Sequence, residues 1–231
     1  MGKKKINYVI AFYAGPRRHY GNSSPCLKFI KKHIEWLKTS PTGIDRATFF
    51  FNEVKNESER ETIEYLNEHK HQLPMEVFDG IRENTGMSYG IWQDVLSNTK
   101  NEFDYTFTIE DDYCPIGKDV MLDFESKVFD DTIFVASYYK DNYNGHAAIS
   151  NGLIVNKHIN QSQPFTIVAD NSYPGGGIFN QTQYLRQYQD KGLKIEDITD
   201  IGYVEFLDVK RGMNRFGDLS KPLLIKPISI E

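Results

Sequence analysis

The sequence predicts an α/β protein built on a mostly parallel central sheet, and three observations lead there. Short apolar runs alternate with amphipathic helical stretches from residue 6 to residue 110. The strand-like runs end in turn-forming or charged residues: Gly15-Pro16 with Arg17 and Arg18, the segment Asp79 to Gly86, and Glu110-Asp111-Asp112. Right-handed crossovers would bring these ends to one edge of the sheet, the edge where ligands bind in such folds.

The first strand is Ile6 to Tyr13, closed by Gly15-Pro16. A helix opens at Ser23/Ser24 with Pro25 in its first turn, and Leu27, Ile30, Ile34 and Leu37 give it one apolar face. Pro41 and Gly43 stop it, and Ala47 to Phe51 reads as a buried strand. Residues 57 to 71 form a charged helix with Ile63 and Leu66 inward. Met75 to Phe78 is a short strand, Asp79 to Gly86 a turn, and Ser88 to Leu96 a helix capped near Ser88. Tyr105 to Ile109 is the fourth strand and delivers the acidic triplet.

The second half is less regular. Residues 118–128 read as a helix, and 132–137 and 148–155 as strands. Residues 179–191 read as a helix after Pro174-Gly175-Gly176-Gly177, with short strands and turns from Ile195 on. The whole is expected to be one domain over residues 1–231. Residues 1–115 would handle a nucleotide and 116–231 an acceptor.

Composition narrows the function classes. A net charge of -5 gives nucleic acid no general electrostatic attraction, and Lys3-Lys4-Lys5 is a solvated run rather than a patch. Aromatics reach 13 % of the chain, which suits stacking on bases or sugar rings but mainly fills a core. No apolar run reaches the roughly 18 residues of a membrane span, and no secretory signal follows Met1. Cys26 and Cys114 are far apart and suggest no disulfide framework, so a reducing, cytoplasmic setting is expected.

Three carboxylates at a strand end repel one another unless a cation or hydrogen-bond donors satisfy them. Glu110, Asp111 and Asp112 therefore suit Mg²⁺ or Mn²⁺, with substrate phosphates completing the shell. Asp112 is the first choice as ligand. Glu110 would bind the metal through water or hold a ribose hydroxyl, and Asp111 contacts the donor or points into solvent. A plain polar strand-to-loop junction is the bland alternative. Arg17 and Arg18 would hold phosphate oxygens, or form an exposed basic loop. Arg82 would contact a nucleobase or phosphate, or belong to an ordinary strand-turn-helix joint. Gly175-Gly176-Gly177 would admit a sugar closely or serve as a joint. Lys210, Arg211 and Arg215 form a solvated face or close over a diphosphate. There is neither a P-loop nor a G-x-G-x-x-G motif. His69 and His71 are read as solvated, and Cys26 lacks a partner for nucleophilic chemistry.

Three segments, "FYAGPRR", "RENTGMSYGIWQDVL" and "FDYTFTIEDDY", together resemble the GT-A-fold glycosyltransferases, closest in pattern to the family 2 type. The resemblance covers residues 6–156 and implies a single GT-A (nucleotide-diphospho-sugar transferase) domain. It implies that the acidic triplet is the DXD motif, with Asp112 on the metal and Glu110 near the ribose, and that Arg82 lies by the base. "HAAISNGLIVNK" resembles the strand that shapes the acceptor side. The chain departs from the family in three places. Asn52-Glu53 stands where the family has an acid after the second strand. The helix beginning "GGGIFNQTQYL" lacks the family's opening acid pair, so Asp170, or else Asp197, supplies the base. A late metal-binding His has no candidate beyond His158.

The expected activity is metal-dependent, inverting transfer of a sugar from a nucleoside diphosphate-sugar, a UDP-sugar first, to a hydroxyl acceptor in glycan or surface polysaccharide synthesis. Mn²⁺ or Mg²⁺ and Arg17 would stabilise the departing diphosphate, and Asp170 would take the acceptor proton. The oligomeric state is not readable. Nucleotidyltransfer and a non-catalytic sugar-nucleotide-binding module are the competing readings.

Overall fold

The computed structural model describes residues 4–13, 24–39, 43–53, 57–99, 101–115, 132–137, 140–143, 146–149, 152–159, 169, 180, 186–197, 204–206 and 224–225. The first half runs β1 (Ile6–Tyr13), α1 (Cys26–Thr39), β2 (Arg46–Asn52), α2 (Glu57–His69), β3 (Glu76–Arg82), α3 (Met87–Thr99), β4 (Tyr105–Glu110). The second half adds β5 (Tyr113–Pro115), β6 (Ile133–Ser137), β7 (Lys140–Tyr143), β8 (His146–Ile149), β9 (Gly152–Val155), β10 (Lys194–Asp197), β11 (Val204–Phe206) and β12 (Leu224–Ile225).

Among the described residues the main sheet holds seven strands in the order β10-β6-β9-β4-β1-β2-β3. β3, β2, β1 and β4 are parallel neighbours, as the alternation predicts. β9 runs antiparallel between β4 and β6, and β10 lies parallel to β6. Six described strands thus point one way and β9 the other. A second sheet of β12-β11-β5 begins directly after the acidic triplet.

β1 is central and buried on both faces, which is why its residues read as an apolar run broken only by Asn7. Its alternating side chains serve two layers. Ile6, Tyr8, Ile10 and Phe12 pack with Phe29, Ile30, Ile34 and Leu37 of α1. Val9 and Ala11 pack with Tyr89, Trp92, Val95 and Leu96 of α3. Helix α1 starts where Pro25 and Ser24 dictate, because the Ser24 hydroxyl accepts from the Cys26 N–H at 3.2 Å. Its buried face holds Cys26, Phe29, Ile30, His33, Ile34, Trp36 and Leu37, while Leu27 is only partly buried at its rim.

Several sequence expectations need correction. β3 continues to Arg82, past the turn expected from Asp79, because its pairing with β2 persists to Asn52↔Arg82. Gly80 permits this: the ring of Phe50 lies where its Cβ would stand, 2.8 Å away. The strand expected at 148–155 is two, β8 and β9, in different sheets. Helix α2 ends at His69 and passes into a 3-10 turn over Lys70–Gln72. β5 was not foreseen, since three residues carry too little periodicity. The helix expected at 118–128 and Gly175-Gly176-Gly177 lie outside the described residues, and within 179–191 the described residues 180 and 186–189 are helical.

Candidate functional site

Strand register puts Tyr13, Asn52 and Arg82 in one row at the C-terminal edge of the sheet, since Tyr13 pairs with Asn52 and Asn52 with Arg82. Glu110 pairs with Ala11, two residues short of that row, and the chain turns at Asp111 and Asp112 directly beyond it. The strand ends of β1 to β4 therefore converge as the sequence suggests. They do so beside β1, the strand from which the chain order leaves in both directions.

The acidic turn is clamped through its middle residue. The Asp111 N–H donates to the Ala11 carbonyl at 3.1 Å, and the Tyr13 N–H donates to Asp111 Oδ2 at 3.1 Å. His33 Nε2 sits 3.0 Å from the Asp111 carbonyl oxygen and His33 Nδ1 3.0 Å from the Tyr8 hydroxyl. A carbonyl only accepts, so Nε2 carries the proton and Nδ1 accepts from Tyr8. Burial lowers the His33 pKa to about 4, against the opposing pull of the Asp111 carbonyl and the Asp112 charge. The ring is therefore neutral at pH 7, as that bonding pattern requires.

The three acids have separate environments. Glu110 is half-buried and its Oε1 accepts from the Ser88 hydroxyl at 2.7 Å. Ser88 was expected to cap α3; it lies inside the first turn, which begins at Met87, and its hydroxyl serves Glu110 instead. Asp111 is 3 % exposed, which removes the option that it points into solvent. Asp112 is 0 % exposed, at the corner where the chain leaves the main sheet for β5.

Arg82 lies in a cradle. Its Nε donates to Asp94 Oδ2 at 2.7 Å, and its Nη1 donates to the Thr85 carbonyl at 2.8 Å and to Asn52 Oδ1 at 3.2 Å. The space comes from Gly90: a Cβ there would stand 2.0 Å from the Thr85 oxygen and 2.6 Å from Nη1. Gly86 at φ 76 and Met87 at φ 56 turn the chain from strand to helix around this guanidinium, two successive left-handed residues. The bonds fix the plane of the guanidinium beside Asn52 at the row's end.

The donor type at Glu110 and Asp112, hard carboxylate oxygen, fits Mg²⁺ or Mn²⁺. Among the described residues no group of three or more His, Cys, Asp or Glu side chains is arranged to hold a metal.

The remaining candidates divide by position. Arg17, Arg18 and Asp170 lie outside the described residues, as do Lys210, Arg211 and Arg215. Asp197 ends β10, which runs parallel to β4 through β6 and β9, so it is on the same edge as the acidic turn. Three strand spacings separate them, about 14 Å. His158 is on the opposite edge: it follows Val155, which pairs with Tyr105 at the start of β4. That is roughly 20 Å from the triplet, so His158 is no partner for Asp112. Sequence reasoning passed over His33 and gave no role to Gly90 or Asp94, although both lie in the segment "RENTGMSYGIWQDVL". The available signals were a histidine on the apolar face of α1 and a glycine inside a helix.

The sequence matches no protein-family model and no curated protein. Solved structures do resemble it. TarS from S. aureus superposes with a TM-score of 0.56 at 10 % identity, over 87 % of this chain and 36 % of that one. The mannosyltransferase PcManGT from Pyrobaculum calidifontis, in complex with GDP-Man and Mn²⁺, gives 0.57 at 9 % identity, over 87 % and 56 %. HddC from Yersinia pseudotuberculosis complexed with GMP-PN gives 0.51 at 12 % identity, over 93 % and 98 %. The chain thus spans 36 % of TarS and 56 % of PcManGT, but nearly the whole of HddC. These likenesses show the fold, and it is the GT-A architecture expected from the sequence.

Proposed function

We propose that this chain is a nucleotide-sugar-using enzyme, a glycosyltransferase that moves a sugar from a nucleoside diphosphate-sugar, a UDP-sugar first, to a hydroxyl acceptor of a glycan or surface polysaccharide. The observation that carries the proposal is the acidic turn, set at the C-terminal edge of β4 beside β1, on the same edge of the sheet as Asn52 and Arg82. The likeness to a mannosyltransferase crystallised with GDP-Man and Mn²⁺ supports it.

In this reading Asp112 and Glu110 hold Mn²⁺ or Mg²⁺, which when bound supplies positive charge against a departing diphosphate. Ser88 orients the Glu110 carboxylate. Arg82, held rigid by Asp94 and Thr85, lies against the nucleoside end of the donor, and Arg17 neutralises phosphate charge. A carboxylate, Asp170 first and Asp197 second, accepts the acceptor hydroxyl's proton as its oxygen attacks the sugar's anomeric carbon, which makes the transfer inverting. One GT-A unit does this work, with residues 1–115 on the donor side and 116–231 on the acceptor side. No described helix is long and apolar enough to cross a membrane.

The test is a thermal-shift panel of UDP-, GDP-, CMP- and dTDP-sugars with and without Mn²⁺. Stabilisation by one donor only with metal is the expected result. Indifference to every donor defeats the proposal.

A second reading, nucleotidyltransfer, is favoured by one observation. The chain spans 98 % of HddC, crystallised with GMP-PN, against 36 % and 56 % of the other two neighbours. Product analysis separates the readings. Nucleoside diphosphate release means sugar transfer, whereas pyrophosphate release means nucleotidyltransfer.

A further inference from the structure

We propose that His33, backed by Tyr8, is a positioning residue for the acidic turn, and that Asp111 is the clamp through which it acts rather than a ligand of metal or donor. The proposal rests on the metal site assigned above. Three groups of Asp111 are engaged inward: its N–H with Ala11, its carbonyl with His33, and its carboxylate with the backbone of Tyr13. Asp111 thus has both its backbone and its side chain tied to β1. The turn is thereby fixed to β1 on one side and α1 on the other, and it places the backbone that carries Glu110 and Asp112.

His33 is suited to this by its surroundings. It lies fully buried on the apolar face of α1, with Phe12 edge-on at 5.7 Å. A polar ring there is costly unless its nitrogens are bonded. Both are, one to Tyr8 of the central strand and one to the acidic turn. The two bonds and the packed ring of Phe12 leave the imidazole one orientation. An apolar residue would fill the space and leave the Asp111 carbonyl without that donor. Groups that hold a ligand from behind typically change metal affinity ten- to a hundredfold when removed.

The test compares wild type, His33→Gln and His33→Leu. Glutamine can place an N–H near the position of Nε2, and leucine cannot. Two readouts are taken on folded protein at pH 7: hydrogen exchange of the backbone amides of residues 110–113 without metal, and Mn²⁺ affinity followed by the spectroscopic signal of free Mn²⁺. His33→Leu is expected to speed exchange in the turn and to weaken Mn²⁺ binding by about tenfold or more. His33→Gln is expected to restore most of both. Should His33→Leu not fold, Tyr8→Phe, which removes only the hydroxyl behind the ring, is expected to move both readouts the same way by less. Wild-type exchange and wild-type Mn²⁺ affinity in folded His33→Leu, or in Tyr8→Phe if it must stand in, overturn the proposal. So does a glutamine variant as impaired as the leucine one. A wild-type protein that binds no Mn²⁺ overturns the metal assignment itself. The exchange measurement still decides, by itself, whether His33 holds the turn.

Discussion

Gly90 and Arg82 share a space that admits no side chain between them: a methyl group at position 90 would stand 2.6 Å from Arg82 Nη1 and 2.0 Å from the Thr85 carbonyl oxygen. The second obstacle is backbone, so it cannot rotate aside. Gly90→Ala is therefore expected to displace either the 85–87 turn or the guanidinium, with a loss of about 1–3 kcal/mol in stability. Urea unfolding measures it. A fully stable Gly90→Ala protein would show that the helix and turn pack more loosely than described.

Arg82→Lys keeps the charge and loses the fork. A single ammonium cannot reach Asp94, Thr85 and Asn52 in the directions that Nε and Nη1 use. The Asp94 contact is partly exposed, so its share is small. The bonds to Thr85 and Asn52 lead us to expect a loss of about 1–2 kcal/mol. Donor-induced thermal stabilisation should fall with it. Unchanged donor binding in a folded variant would remove Arg82 from the donor site.

His33 gives stability a pH dependence of known sign. Its folded pKa, about 4, lies below the ordinary 6.5. The unfolded chain therefore takes up the proton first as pH falls from 6.5 toward 4. Stability is complete above that window and is lost through it on acidification. The His33 contribution to that loss is roughly 2 kcal/mol between pH 7 and pH 5. Urea midpoints in a chelator at the two pH values, for wild type and His33→Gln, measure it as the difference between the two proteins. Equal pH dependence in both would contradict the assigned burial.

Asp112→Asn changes one buried oxygen to an amide and leaves the volume in place. Metal-dependent turnover should disappear while the thermal transition remains cooperative. Full activity in that variant would exclude Asp112 as a ligand.

The alternation of strand and helix, the burial of β2 and the place of the acidic triplet were all legible in the sequence. Each is written in local periodicity and in one composition break, Ile109 to Glu110. The reversed strand β9 was not legible, because an apolar run of four residues reads the same in either direction. Nor was the length of β3, since its last four residues look like a turn until Phe50 and the partner strand are in place. Among Glu110, Asp111 and Asp112 the sequence offers three equal carboxylates. Only the folded chain separates them, by setting Ser88, Tyr13 and a histidine from a helix 78 positions away against particular oxygens. Periodicity is a property of neighbours along the chain. Hydrogen-bond partners at a sheet edge come from different strands and helices, and packing alone brings them together.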